Sequence, residues 1–449
     1  MRKHETLHEL SVALATRESN PVELVERALN RAAASPKTFI SMRGAAAMEE
    51  AEQSMARWQA GNPLSPLDGI PIAWKDLFDI EGTITTAGSR AIARNAVIAE
   101  NDAAVVRNTK RLGLIPIGKT NLTELAYSGL GLNPHYGTPG DGMRVPGGSS
   151  SGSAIAVRDG VVAAAVGTDT AGSIRIPAAF NGLAGFKSSS SRYDMSGVFP
   201  LQRSFDSLGP ICLTVADCVT MDAAMRGMGK PDVPPAASPP KFIVDAGILE
   251  DPDLTEVVRE NFAAFIGRLS DAGAPVENRR VDAVERSRNA FRTVGWLGSP
   301  EAYALHKDLL VGPSRVLLDA RVAKRLEMAG TLGAEAVASL RKLRTELMEN
   351  IARELSGAML LMPTVKHVAP QLKELEANAD LFAKVNLATL SLTMIGSFLN
   401  MPGVALPTSK DTGSETSALL SAPADCDDTV LSAALWVENS TQNAAPIHG

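Results

Sequence analysis

Three stretches concentrate the residues that could do chemistry. Gly147-Gly148-Ser149-Ser150-Ser151-Gly152 and Gly167-Thr168-Asp169-Thr170-Ala171-Gly172-Ser173 are small-residue turns carrying serines, with an apolar run at residues 161–166 between them. Small residues let a backbone pass close to another group and let successive N–H groups point inward. Two such turns suit a serine nucleophile beside an oxyanion hole of backbone donors. Upstream, Gly69-Ile70-Pro71-Ile72-Ala73-Trp74-Lys75-Asp76 ends a short apolar strand on a lysine. Alone, such a lysine reads as a surface residue with its stem along apolar neighbours. Beside two serine turns it reads as a base.

These stretches, with Gly118-Lys119-Thr120-Asn121 and Asn181-Gly182-Leu183-Ala184-Gly185-Phe186-Lys187, occur in the order seen in one family. The chain resembles the amidase signature family, serine hydrolases with a Ser–cis-Ser–Lys triad. The strong resemblance covers residues 65–215. It implies that Ser173 is the nucleophile and forms an acyl-enzyme. Ser149, in a cis peptide, relays its proton, and Lys75 is the base that later protonates the leaving amine. It implies an oxyanion hole from the N–H groups of Thr170, Ala171, Gly172 and Ser173. It sets Ala126, Tyr127 and Ser128 where family members line the acyl pocket, although for Tyr127 ordinary packing beside the site is an equal reading. Many members have Gly-Gly-Ser where this chain has Ala171-Gly172-Ser173. Alanine keeps its N–H, and would be strained only if a positive φ were required there.

An amide needs a nucleophile, a base that can turn acid, and donors for the developing oxyanion. Lys75 can be that base only when neutral. Moving it from its ordinary ~10.4 to near neutrality takes roughly 4 kcal/mol, for which burial at a strand end is the physical cause. Asp76 would oppose that shift, so its carboxylate is expected to point away. The reading is an amide hydrolase acting on a small or medium carboxamide to give an acid and ammonia or an amine, without cofactor or metal. Two alternatives stand beside it: the glutaminase-type subunit of an amidotransferase, and an inactive member serving as a binding scaffold.

Two other motifs fit by letter and fail by physics. Residues 113–120 match the phosphate-loop pattern G-x-x-x-x-G-K-T, but its centre, Leu114-Ile115-Pro116-Ile117, reads as a strand and Pro116 has no N–H. Gly148-Ser149-Ser150-Ser151-Gly152 matches the G-x-S-x-G nucleophile elbow, which would select Ser150. That elbow needs a hydrophobic strand before it, and residues 141–146 do not read as one; His306, His367 and His448 have no supporting context. His135, Arg175 (paired with Asp169 or Asp206) and Asp206 read as structural.

The 449 residues carry a net charge of -6, spread along the chain, which argues against nucleic acid as a partner. Cys212, Cys218 and Cys426 form no C-x-x-C and read as reduced thiols of a cytoplasmic protein. The polar N-terminus and the lack of a long apolar run give no signal peptide and no membrane span. The resemblance leaves room for a homodimer.

The elements that must hold these residues read as an α/β fold: a single large twisted mixed sheet flanked by helices on both faces. Residues 1–60 read as helices, with Asn20 as N-cap, Pro21 in the first turn and Glu23 in the capping-box position. Residues 65–228 form the motif-bearing core. Residues 229–240, with five prolines, are a linker. Residues 241–449 are a more helical part that completes the fold and caps the pocket, with helical stripes at residues 254–269 and 340–355 and a charged helix near 315–328. Family members carry a late strand where this chain has Ser417-Ala418-Leu419-Leu420-Ser421.

Overall fold

The computed structural model describes residues 4–409 and 414–442. Among them, eleven strands form one mixed sheet. The strands are β1 (Phe39–Met42), β2 (Pro71–Lys75), β3 (Ile115–Thr120), β4 (Ala164–Asp169), β5 (Ala184–Lys187), β6 (Ser207–Cys212), β7 (Phe242–Asp245), β8 (Val276–Arg279), β9 (Met359–Pro363), β10 (Gly403–Ser409) and β11 (Thr416–Ser421). Their order across the sheet is β1-β3-β2-β4-β6-β5-β10-β11-β9-β7-β8. β2 runs parallel to β3 and β4, and β7 runs parallel to β8 and β9. The antiparallel ladder through β6, β5, β10 and β11 joins these two parallel groups.

Side-chain alternation explains why the sheet is covered on both faces. In β2, Ile72 and Trp74 enter one apolar cluster and Ala73 enters another. β4 repeats this with Ala164 and Val166 against Ala165, and β10 with Val404 and Leu406 against Ala405. The alanine-lined face receives the helices Pro21–Ala33 and Ser151–Arg158. Asn20 caps the first, its side chain accepting from the Glu23 N–H at 3.0 Å. The helix Gly44–Gln59 packs beside the first of them on the same face, with Ala47 and Ala51 in that cluster.

The phosphate-loop match is β3 itself, fully buried. Residues 161–166 start their strand later than expected. The N–H groups of Val161 and Val162 still bond to Ala156 O, closing the preceding helix, so β4 begins at Ala164 and runs into the glycine turn. The charged helix is shorter than expected: residues Gly312–Leu317 wind as 3-10 turns, and the α-helix is Ala320–Ala329, capped by Asp319. The tail strand forms despite its departure from the family pattern. In β11 each of Ala418, Leu419 and Leu420 has a partner in β10 on one side and β9 on the other.

Candidate active site

Lys75 ends β2 and shares the parity of Ala73, so it points to the alanine-lined face. The helix Ser151–Arg158 lies close on that face because small residues meet there. A Cβ on Gly152 would stand 2.4 Å from Thr38 O and 2.5 Å from Asn121 N. The turn before this helix brings Ser149 to Lys75: Nζ donates to Ser149 Oγ at 2.7 Å and to Thr168 Oγ1 at 2.8 Å, with Thr168 O at 3.5 Å. The Gly148–Ser149 peptide is cis.

Lys75 is 0% exposed. Burial lowers its pKa to about 7, against the weaker opposing pull of Asp169 and Asp206. Asp76 points elsewhere: it pairs with Lys119 Nζ at 2.9 Å and accepts the Thr86 N–H at 3.0 Å.

The second turn is organised by Asp169, the last residue of β4. Its Oδ1 accepts the Gly172 N–H at 2.7 Å, and its Oδ2 accepts the Ile174 N–H at 3.0 Å. The Arg175 guanidinium binds the same carboxylate through Nε at 3.0 Å and Nη2 at 2.8 Å. Burial disfavours the Asp169 anion, yet Arg175 and these donors outweigh it and hold the carboxyl at about 2. Arg175 is thus the internal partner of Asp169, and its other donors reach Thr393 O and Ser397 Oγ. Asp206 accepts from Thr170 Oγ1 at 2.6 Å and from the N–H groups of Leu201 and Gln202.

The four N–H groups expected to form the oxyanion hole differ in their partners. The Gly172 N–H is already donated to Asp169, whereas the N–H groups of Thr170, Ala171 and Ser173 have no acceptor among the described residues. The turn also removes the question of strain at Ala171, which is not among the residues of positive φ. The left-handed position is Gly172, at φ +138, where a Cβ would lie 2.3 Å from Thr393 Oγ1.

Ser173 opens on a cavity of about 270 Å³ whose lining includes Thr170, Ala171 and the expected Ala126, Tyr127 and Ser128. The far walls come from Leu201 and Gln202 and, within the part expected to cap the pocket, from Trp296 and Ser299, Arg325, and Leu387, Leu390 and Met394, none of which the sequence singles out. Arg325 lies over the Tyr127 ring, 4.4 Å from its centroid, and Nη1 donates to Tyr127 O at 2.6 Å. Within the sequence, Trp296 carries the one signal that could have drawn notice, a rare large aromatic between two glycines, Gly295 and Gly298.

The competing nucleophile is placed differently. Ser150 Oγ donates to Thr168 O at 3.3 Å, and no strand precedes its turn. His135 pairs with Glu124, at 3.0 Å. His306 stacks on Phe199, with Nε2 3.1 Å from Pro200 O, and burial lowers its pKa to about 4. His367 is bound to Val368 O and Thr389 Oγ1. His448 lies outside the described residues.

Residues 23–431 match the family model described as Amidase. Over 429 residues the chain is 30% identical to 2-amino-5-chloromuconic acid deaminase of Comamonas testosteroni, covering 91% of this chain and 90% of that protein. Over 232 residues it is 40% identical to a subunit of the glutamyl-tRNA(Gln) amidotransferase of Ralstonia nicotianae, covering 51% of this chain and 46% of that one. The chain thus spans about half the length of the amidotransferase protein it matches. A crystal structure of an amidase superposes with a TM-score of 0.86 at 30% identity, covering 97% of this chain and 99% of the other. Among the described residues no helix is long and apolar enough to cross a membrane. The chain belongs to the amidase signature family.

Proposed function

We propose that this chain is an amide hydrolase working through an acyl-enzyme on Ser173. The observation that carries the reading is Lys75: fully buried, held at about 7, with Nζ 2.7 Å from Ser149 Oγ. When Lys75 is neutral, its two N–H bonds serve Thr168 Oγ1 and O, and its lone pair accepts the Ser149 hydroxyl proton. Ser149 in turn takes the proton of Ser173 as Ser173 Oγ attacks the amide carbon. The tetrahedral oxygen is met by the N–H groups of Thr170, Ala171 and Ser173. Collapse breaks the C–N bond, and the proton held at Lys75 returns through Ser149 to the leaving nitrogen. Water then attacks the acyl-enzyme by the same relay and frees the acid. Ala126, Tyr127 and Ser128 bound the acyl side of the cavity in this reading. Residues 65–228 supply the chemistry and residues 241–449 the walls.

The experiment is peptide mass spectrometry after a fluorophosphonate probe, on the wild type and on Lys75→Ala. An adduct on Ser173 that forms much more slowly in the variant is the expected result. An adduct on Ser150, or equal rates in both proteins, would sink the assignment. A second reading, a glutaminase-type subunit supplying ammonia to a partner, draws support from the 40% identity to the glutamyl-tRNA(Gln) amidotransferase protein. It predicts glutamine turnover only when a partner is added. Hydrolysis of simple amides by the isolated chain speaks for the first reading.

A further inference from the structure

Resting on that catalytic reading, we infer a substrate class: compact amides that also carry a carboxylate and no ammonium group beside it, with Arg325 as the group that selects them. The cavity joins Ser173 to Arg325. Arg325 has five N–H donors in a fixed fork. Nη1 is used on Tyr127 O, while Nε and Nη2 have no acceptor among the described residues. No carboxylate pairs with this guanidinium; the one group that favours its charge is Tyr127. Arg325 is half-buried and has no counter-charge beside it. A guanidinium left with spare donors at the wall of a serine-lined cavity is therefore a receptor for an anion, and its planar fork matches a carboxylate.

Gln202 adds a second donor. Its Oε1 accepts the Trp296 Nε1–H at 2.8 Å. Indole N–H is donor only, so the amide orientation is fixed and the Gln202 NH2 is the free end. The rest of the lining is apolar or neutral, with no Asp or Glu among the residues that bound the cavity. An α-ammonium would enter without a counter-charge and lose its hydration. The volume of about 270 Å³ lies just below the ~300–1,000 Å³ range of small-molecule sites, so the body of the substrate is short.

Three ligands of nearly one size separate these features: glutaramic acid, its methyl ester, and glutamine, which is glutaramic acid with an α-ammonium. Each is measured by its concentration for half-protection of Ser173 against the fluorophosphonate, and by its turnover. Glutaramic acid is expected to protect about 10–100-fold better than its ester, the range of a charge-assisted hydrogen-bonded pair, and better than glutamine. In Arg325→Met the acid-to-ester ratio should fall to about one, and Arg325→Lys should keep part of it. Because the ratio is taken within one protein, partial misfolding of a variant cancels. Equal protection by acid and ester, no protection by any of the three, or an unchanged ratio in Arg325→Met would overturn the inference. Glutamine as the best ligand would overturn its ammonium clause and favour the glutaminase reading. Failure to label Ser173 in the wild type would overturn the catalytic reading, and this inference with it.

Discussion

Ser173, backed by the Lys75–Ser149 pair, forms the floor of the cavity with Thr170 and Ala171, and Trp296, Arg325, Leu387 and Met394 form its far wall; the two are held by different physics. On the floor the side chains of Lys75, Ser149 and Asp169 are buried and hydrogen-bonded. Lys75 is fixed by Ser149 and Thr168, and Asp169 holds the chain on both sides of Ser173. On the wall Trp296 and Arg325 each make a hydrogen bond, the other contacts are apolar or stacked, and the rim is open: Leu387 and Met328 are each 63% exposed. A network of buried hydrogen bonds has one low-energy geometry, because each missing partner costs about 1–3 kcal/mol. Apolar contacts tolerate replacement of one side chain by another of similar volume. The floor is therefore built for one reaction, and the wall for a choice of substrate that can change without disturbing it.

The largest expected effect tests whether the floor acts as a unit. Lys75→Ala should lower kcat/KM by about 10⁴-fold, as loss of one member of a relay does elsewhere. In the wild type, kcat/KM should fall about tenfold per pH unit below about 7, since only neutral Lys75 can accept a proton, and level off above it. Leu387→Ala, on the wall, should leave that acid limb in place and cost at most about tenfold, mostly in KM. A shifted limb in Leu387→Ala would show that wall and floor are coupled, and would break the comparison.

Next in size is the support beneath the nucleophile. Asp169→Asn leaves the Arg175 guanidinium buried without its counter-charge, a change worth about 3–5 kcal/mol of stability. The sign with pH follows from the direction of the shift. A carboxyl held at about 2, below its ordinary 3.8, contributes fully above pH 4 and loses that contribution as the pH falls toward 2. Urea unfolding of wild type and variant at pH 7 measures the difference. Charge removal at the exposed Arg286–Glu346 pair of the C-terminal half should leave the midpoint unmoved. A variant as stable as the wild type would mean that the floor is no more constrained than the wall.

The same contrast governs what is legible in the sequence. The floor is legible because its chemistry is local: a glycine turn, a serine and a lysine at the end of an apolar strand announce themselves within a few residues. The central strands are legible for the same reason. β8 is not, because Val276–Arg279 is a polar edge strand with alternating charges and little buried surface. Arg325 sits in a helix full of charge, Ala320–Ala329, and only tertiary packing distinguishes it from Arg321 or Lys324 on neighbouring positions. The walls are gathered from residues as distant as Leu201 and Met394, a proximity set by the order of eleven strands and by no local pattern. The Asp169–Gly172 bond is hidden for a subtler reason. Sequence shows that a turn has donors, and only geometry shows which of them is already taken.

The smallest effect is the sharpest probe of the floor. Ala171 stands where the family commonly has glycine, yet its backbone needs no positive φ; that demand falls on Gly172. Ala171→Gly keeps the N–H proposed as an oxyanion donor and removes one methyl group that packs against the apolar cluster containing Ile176 and Met394. It adds freedom to the unfolded chain, so stability should drop by about 0.4–1 kcal/mol. The rate of Ser173 labelling should stay within about twofold, because no donor has moved. A rise of more than tenfold would mean that the alanine side chain holds the turn away from its working geometry. The floor of this chain would then be a compromise between chemistry and the wall above it, and the division between the two would lie within the turn itself.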